Sequence, residues 1–201
     1  MILYFVRHGE TDWNKKGLFQ GSTDIELNDV GRGQARDAHD RLLRKGISFE
    51  KVYSSPLVRA IETAKIISGK DEKEIVIDDR IKEMTFGDLE GTDYYEIKKT
   101  HGLLFKEPSS YVPTCGEESY EHILDRTKSF LDDIIAEYKD KDGNILIQTH
   151  GAAIRALLLN LRNLELDKYW TIEVGNCQFF KFEIKGDIIR EMDASDINTN
   201  I

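Results

Sequence analysis

Short apolar runs alternate with helical segments along this chain, and each run stops at a polar break. Met1–Val6 is the first, ended after six residues by Arg7-His8. A run that short and apolar reads as a buried strand. Asn28 to Lys45 reads as a helix: Asn28 can cap it, Ala35, Ala38 and Leu42 share one face, and Gly46 ends it. Lys51–Ser54 is a second strand. Ser55-Pro56 is expected to open the next helix, with Ser55 as cap and Pro56 in the first helical position. The apolar face of that helix is Leu57, Ile61, Ala64 and Ile67, and Ile75–Ile77 is a third strand. The longest helix is expected from about Glu117 to Tyr138, because Ile123, Thr127, Phe130, Leu131, Ile134 and Tyr138 keep the spacing of one face. Asn144–Thr149 is a fourth strand, followed at once by His150-Gly151. Ala152 to Leu161 is nearly all apolar and predicts a helix buried on most sides. Residues 177–184 form a last strand, and the polar tail 193–201 is expected to fray.

Strands alternating with helices predict an α/β fold of three layers, α/β/α, with a mostly parallel central sheet covered on both faces. The chain has 201 residues and no repeat, low-complexity tract or Pro/Gly/Ser linker, so a single domain over residues 1–201 is expected. In open parallel sheets the ligand site lies outside the carboxyl ends of the strands. That rule selects four segments: Arg7-His8, Ser54 through Arg59, Arg80 to Glu83, and His150-Gly151. They are expected to meet at one edge.

Charge bounds the partners. With 28 Lys+Arg against 37 Asp+Glu the formal net charge is −9. A general nucleic-acid binder would show a basic stripe instead. An anionic substrate therefore requires positive charge gathered locally. The two cysteines, Cys115 and Cys177, are too few for a disulfide framework or a four-thiolate zinc site and read as reduced thiols. The apolar start is too short for a signal peptide, and no run approaches a membrane span. The protein is expected to be soluble and cytoplasmic, a monomer or homodimer, with no membrane partner.

The four segments bring together two histidines, at least two arginines and a glutamate. Arginine offers a planar fork of donors that matches phosphate and keeps its charge near neutrality. Two arginines around one pocket point to a dianion such as a phosphoryl group. A histidine between them has its imidazolium disfavoured and stays neutral and nucleophilic. The chemistry that follows is attack of histidine on phosphorus, then transfer to water or another acceptor.

These residues also carry a family pattern. Arg7-His8-Gly9-Glu10-Thr11 with Asn14 resembles the signature of the histidine phosphatase superfamily, the phosphoglycerate mutase-like proteins. The likeness continues through Phe19-Gln20-Gly21, Leu27–Gly31, Gln34-Ala35, Ser54–Ala60 and Glu62–Ala64. It returns at Glu83, Phe86–Gly91, Gly116–Ser119 and Thr149-His150-Gly151, in the family's order. The resemblance implies the phosphoglycerate mutase-like fold, with His8 as the nucleophile and Arg7, Arg59 and His150 completing the phosphate pocket. It implies Asn14, Gln20, Gly21 and Gly151 as further contacts, and Glu83 as the general acid that later activates water. A positioned proton donor contributes ~10²–10⁴-fold, because an ester oxygen leaves poorly as an alkoxide. Neither a metal nor a cofactor is called for, since the arginines and a protonatable histidine supply the positive charge.

Mutases of this superfamily hold the second charged end of phosphoglycerate with extra basic residues. Here the segment from about 84 to 116, expected to form a lid over the substrate, contains no arginine. Phe86–Gly91 resembles the phosphatase branch, so hydrolysis of a small phosphomonoester is expected, either broad in specificity or directed at α-ribazole 5′-phosphate, with a sugar phosphate or phosphoglycerate equally open as substrate. A cofactor-dependent phosphoglycerate mutase and a silent phosphate-binding module are the alternatives. Tyr94, Tyr95, Phe105 and Tyr111 either stack on a substrate ring or pack among themselves. Thr11, Ser119 and Glu117 are as readily caps as contacts. His39 reads as solvated, and His101, His122 and Lys98-Lys99 as surface.

Overall fold

The computed structural model describes residues 1–198. In chain order the elements are β1 (Ile2–Arg7), α1 (Asp12–Lys15), α2 (Asp29–Arg44), β2 (Lys51–Ser54), α3 (Val58–Ser68), β3 (Ile75–Ile77), α4 (Tyr94–Thr100), α5 (Gly102–Lys106), α6 (Tyr120–Tyr138), β4 (Asn144–Thr149), α7 (Gly151–Arg162), β5 (Phe179–Lys185) and β6 (Ile188–Met192). One six-stranded sheet runs β3-β2-β4-β1-β5-β6. Its first four strands are mutually parallel, and β5 and β6 are antiparallel additions.

Alternation along each strand sorts the core into two layers, as a period of two requires. Leu3, Phe5, Tyr53, Ile145 and Ile147 face one side, where Phe130, Leu131 and Ile134 of α6 and Leu157 of α7 cover them. Tyr4, Val6, Val52 and Leu146 face the other, against Ala35, Ala38 and Leu42 of α2 and Ala64 and Ile67 of α3. Helices thus flank both faces of a mostly parallel sheet. No helix among the described residues is long and apolar enough to cross a membrane.

Several local expectations need correction. Ser55-Pro56 does not start a helix: α3 begins at Val58 and no side chain of Leu57 caps it. Ser55 N–H still extends the sheet ladder, donating to the Gln148 carbonyl at 3.0 Å. Asp24, far away in sequence, supplies the cap by accepting from Val58 N at 2.9 Å. The long helix starts at Tyr120, with Ser119 as its cap accepting from His122 N. Glu117 instead accepts from the Thr114 and Cys115 amides at 3.0 and 2.6 Å and closes the preceding loop.

The strand β6 was invisible to hydrophobic patterning because it lies at the sheet edge with almost every residue exposed. Gly186, at φ +57, makes the turn that joins it to β5. The tail does not fray over residues 193–198. Ala194 and Ile197 are buried, and Asn198 exchanges hydrogen bonds with the Phe179 backbone at 2.7 and 3.0 Å. Residues 199–201, the rest of that expectation, lie outside the described residues. His39 is half-buried rather than fully solvated, with Nδ1 at 2.9 Å from the Ile67 carbonyl. Both cysteines are unbonded thiols.

Candidate active site

The sheet register brings the predicted segments together. Arg7 sits opposite Thr149, and Ser54 opposite Gln148. The chain therefore leaves β1 at His8, β2 at Ser55 and β4 at His150 along one edge. His8 N–H donates to the Thr149 carbonyl at 3.0 Å. The third segment is drawn in by Thr149, whose hydroxyl donates to the Ile81 carbonyl at 2.6 Å. Arg126 of α6 also donates to the Arg80 and Lys82 carbonyls at 2.7 and 2.8 Å, just before Glu83. Arg80 itself points away, paired with Asp78 and Asp133.

These ends open on a cavity of about 280 Å³, near the lower end of the ~300–1,000 Å³ that small-molecule sites span. Arg7, His8, Asn14, Gln20, Gly21, Arg59, Glu83 and Gly151 all line it. His150 lies behind His8, with ring centroids 5.2 Å apart. Its Nε2 is 2.6 Å from the Ser55 hydroxyl. Ser55 Oγ also accepts from Leu57 N at 3.4 Å, which leaves it a proton to give to Nε2 and a second lone pair to accept from it. The His150 Nδ1 is buried and has no partner among the described residues.

His8 is 2 % exposed, and its Nδ1 lies 2.7 Å from the Gly9 carbonyl. A carbonyl can only accept, so Nδ1 carries the proton and Nε2 keeps its lone pair. Burial, then Arg59 and Arg7, hold the His8 imidazole well below its ordinary pKa of 6.5. The same causes, with His8 added, depress His150. Both rings are neutral at pH 7. Gly9 is required beside the nucleophile candidate, because a Cβ there would lie 2.5 Å from the Gly31 carbonyl oxygen at the start of α2.

The arginines are anchored by carbonyls, not carboxylates. Arg7 donates to Val174 O at 2.7 Å, and Arg59 to Thr23 O and Gly21 O at 2.8 and 2.7 Å. The Nε of each is buried without a partner among the described residues. Burial and neighbouring Arg155 lower Arg7 to about 10, which still leaves it cationic at neutral pH. Glu90 latches the loop that Arg59 grips: it accepts from the Ser22 and Thr23 amides at 2.9 Å and from Phe86 N at 2.9 Å. Asn14 gives its amide oxygen to Thr11, whose side chain caps α1, so what it can offer an anion is its Nδ2 donors.

Glu83 sits at the N-terminus of α7. Its Oε1 accepts from Ala152, Ala153 and Met84 amides at 3.1, 3.0 and 3.0 Å. The carboxylate thus complements the helix dipole. Oε2 shares the Ala152 N–H at 3.2 Å and lies toward the cavity, 3.8 Å from where a Cβ on Gly151 would stand.

Among the lining residues that went unrecognised in the sequence are Arg155 and Trp170. Arg155 left a signal, as the one charged residue in the apolar run 152–161, one helical turn beyond Gly151. Trp170 left none. Of the aromatics at 94–111, Tyr94 lines the cavity and Phe105 packs on Phe19 and Trp170. Tyr95 is exposed, and Tyr111 donates to Glu117. His122 is exposed beside Glu118, and half-buried His101 contacts Thr100.

Known proteins resemble this chain over most of its length. A putative phosphoserine phosphatase 2 from Hydrogenobacter thermophilus is 33% identical over 189 residues, covering 92% of this chain and 90% of its own. An uncharacterized phosphatase PhoE of Bacillus subtilis is 39% identical over 172 residues, 86% of this chain and 83% of its own. A phosphoserine phosphatase variant from Entamoeba histolytica, solved with phosphoserine, superposes with a TM-score of 0.83 at 28% identity and 97% of each chain. The family model for the histidine phosphatase superfamily, branch 1, matches residues 3–193, and with these relatives it establishes that the chain belongs to that superfamily.

Proposed function

We propose that this protein hydrolyses a small phosphomonoester, without a metal, through a phosphohistidine on His8. The observation that carries this reading is the His8 tautomer: Nδ1 is committed to Gly9, so an uncharged Nε2 lone pair stands between two guanidinium groups. The Nε2 lone pair attacks phosphorus and the ester P–O bond breaks. The leaving oxygen takes the proton from Glu83 Oε2. Water then gives a proton back to Glu83 and attacks phosphorus, the N–P bond breaks, and inorganic phosphate leaves.

Arg7, Arg59, Asn14 and Gln20 hold the three non-bridging oxygens, with His150 backing the pocket behind His8 and with Gly21 and Gly151 as the backbone against which they sit. Their fixed charges and dipoles act on the transferring group without reorganising. Supporting this, the Entamoeba relative was solved with a small phosphomonoester. Segment 84–116 contributes Phe86 and Tyr94 to the cavity wall, consistent with a cover over the substrate. Its lack of arginine favours water over a second hydroxyl as acceptor.

The test is turnover of p-nitrophenyl phosphate and a phosphomonoester panel in EDTA, with acid-labile phosphoenzyme trapped by quenching. His8→Ala is expected to lose the phosphoenzyme and roughly 10³-fold or more of the rate. Wild-type turnover in that variant, or loss of activity with EDTA, would overturn the reading. Interconversion of 3- and 2-phosphoglycerate faster than hydrolysis would make the protein a mutase instead.

A further inference from the structure

We propose that Arg155 is a second anion-binding group of this pocket, and that the substrate carries a carboxylate a few bonds from its phosphoester oxygen. The inference rests on the phosphatase reading above and adds the substrate class.

The first support is how the arginines are paired. Arg32, Arg80, Arg126 and Arg162 each meet a carboxylate: Glu62, Asp78, Glu118 and Glu191. Arg36, Arg44 and Arg190, which are exposed, and half-buried Arg41 make no ion pair among the described residues, and neither do the three that line the cavity, Arg7, Arg59 and Arg155, whose guanidinium groups are desolvated by burial. Desolvating a cation without a counter-charge is costly, so three together imply that anionic charge is brought by what binds.

The second support is charge count. A phosphomonoester dianion balances two guanidinium groups. Glu83 is the one carboxylate lining the cavity. In the state that protonates a leaving oxygen, Glu83 is neutral and one guanidinium charge is left over. A carboxylate on the substrate matches it.

The third is position. Arg155 donates through Nε to the Ile172 carbonyl at 3.0 Å, and its guanidinium lies over the Trp170 ring at 4.9 Å. Both contacts fix the plane of the fork while leaving its Nη donors uncommitted among the described residues. Arg155 Nη1, Arg7 Nε and Glu83 Oε2 lie 3.3, 3.7 and 3.8 Å from one point, the Cβ position on Gly151. Arg155 therefore faces the leaving-group side, beside the acid and one guanidinium away from the phosphate. Only an anionic group close to the ester oxygen reaches it. A planar fork suits a carboxylate.

The experiment uses two substrate pairs that differ at the carboxylate: O-phospho-L-serine against phosphoethanolamine, and 3-phosphoglycerate against glycerol 3-phosphate. Wild-type protein is expected to prefer the carboxylated member of each pair at least ~10-fold in kcat/KM. Arg155→Met keeps much of the bulk over Trp170 and removes the charge. It is expected to lose on the order of 10- to 100-fold on the carboxylated esters, with p-nitrophenyl phosphate turnover and inhibition by inorganic phosphate changed less than about threefold. Arg155→Lys should recover part of the preference. A wild-type preference below about threefold overturns the proposal without any variant, and so does an equal loss on all esters, which would make Arg155 a phosphate ligand or a packing residue. Absence of turnover on every phosphomonoester would instead defeat the phosphatase reading.

Discussion

Replacing Glu83 with glutamine separates proton donation from everything else this side chain does. Oε1 takes three backbone N–H bonds at 3.0–3.1 Å, and a glutamine carbonyl accepts all three. Oε2, on the cavity side, changes from an atom that can hold an acidic proton to an amide nitrogen that cannot release one, and its longer bond from Ala152 N at 3.2 Å is lost while Ala152 N keeps its bond to Oε1. The folded state loses a negative charge at the start of α7, worth ~0.3–1 kcal/mol, so Tm should fall by only a few degrees. The chemical step loses ~10²–10⁴-fold, or ~3–5 kcal/mol of barrier, when the leaving group is an alkoxide. A nitrophenolate needs no proton to leave. Rapid-quench kinetics should therefore show two behaviours in Glu83→Gln. With p-nitrophenyl phosphate, a burst of about one nitrophenolate per site precedes slow turnover, because phosphoenzyme forms readily and its attack by water lacks a base. With an alkyl phosphate no burst appears and no phosphoenzyme accumulates. Equal slowing of phosphoenzyme formation with both substrates would refute the role of Oε2 as proton donor.

Stability should depend on pH through the buried histidines. Both His8 and His150 titrate well below 6.5 in the folded protein. The unfolded chain therefore binds more protons as pH falls below about 6.5, and stability is lost in that direction at up to ~1.4 kcal/mol per pH unit for each ring. Urea midpoints between pH 7.5 and 5 should fall less steeply in His150→Gln, and parallel curves would contradict the burial argument. Arg126→Met removes the guanidinium from Glu118, a pair whose side chains are 12% and 9% exposed, leaves it only His122 and the Thr85 amide, and releases the carbonyls before Glu83. Tm should drop on the order of 10 °C, and kcat should fall with KM little changed; an unaltered kcat would show that Glu83 is positioned by other contacts. Gly9→Ala forces Cβ to 2.5 Å from Gly31 O and 2.9 Å from its Cα, a backbone clash worth ~1–3 kcal/mol, so a wild-type melting curve would contradict the close approach.

The sequence by itself determined the strand–helix alternation, the parallel core of the sheet and the polar residues at the strand ends. These are local properties: a six-residue apolar run and the Arg-His that stops it are adjacent in the chain, and strand ends gather at one sheet edge by topology alone. His8, Arg7, Arg59, Glu83 and His150 were therefore legible as a set. What the tertiary structure decided lies in contacts between distant segments. Asp24 caps α3 in place of Ser55, because Ser55 remains in the sheet ladder and its hydroxyl meets His150. Arg126 of α6, distant in sequence, holds the carbonyls ahead of Glu83. The tail is pinned by Phe179. Arg155 is the one charge in the apolar run 152–161, and only the seating of α7 turns it into the cavity. Periodicity records which face of an element is covered. It does not record what covers it, and the third arginine became visible only when the covering elements were in place.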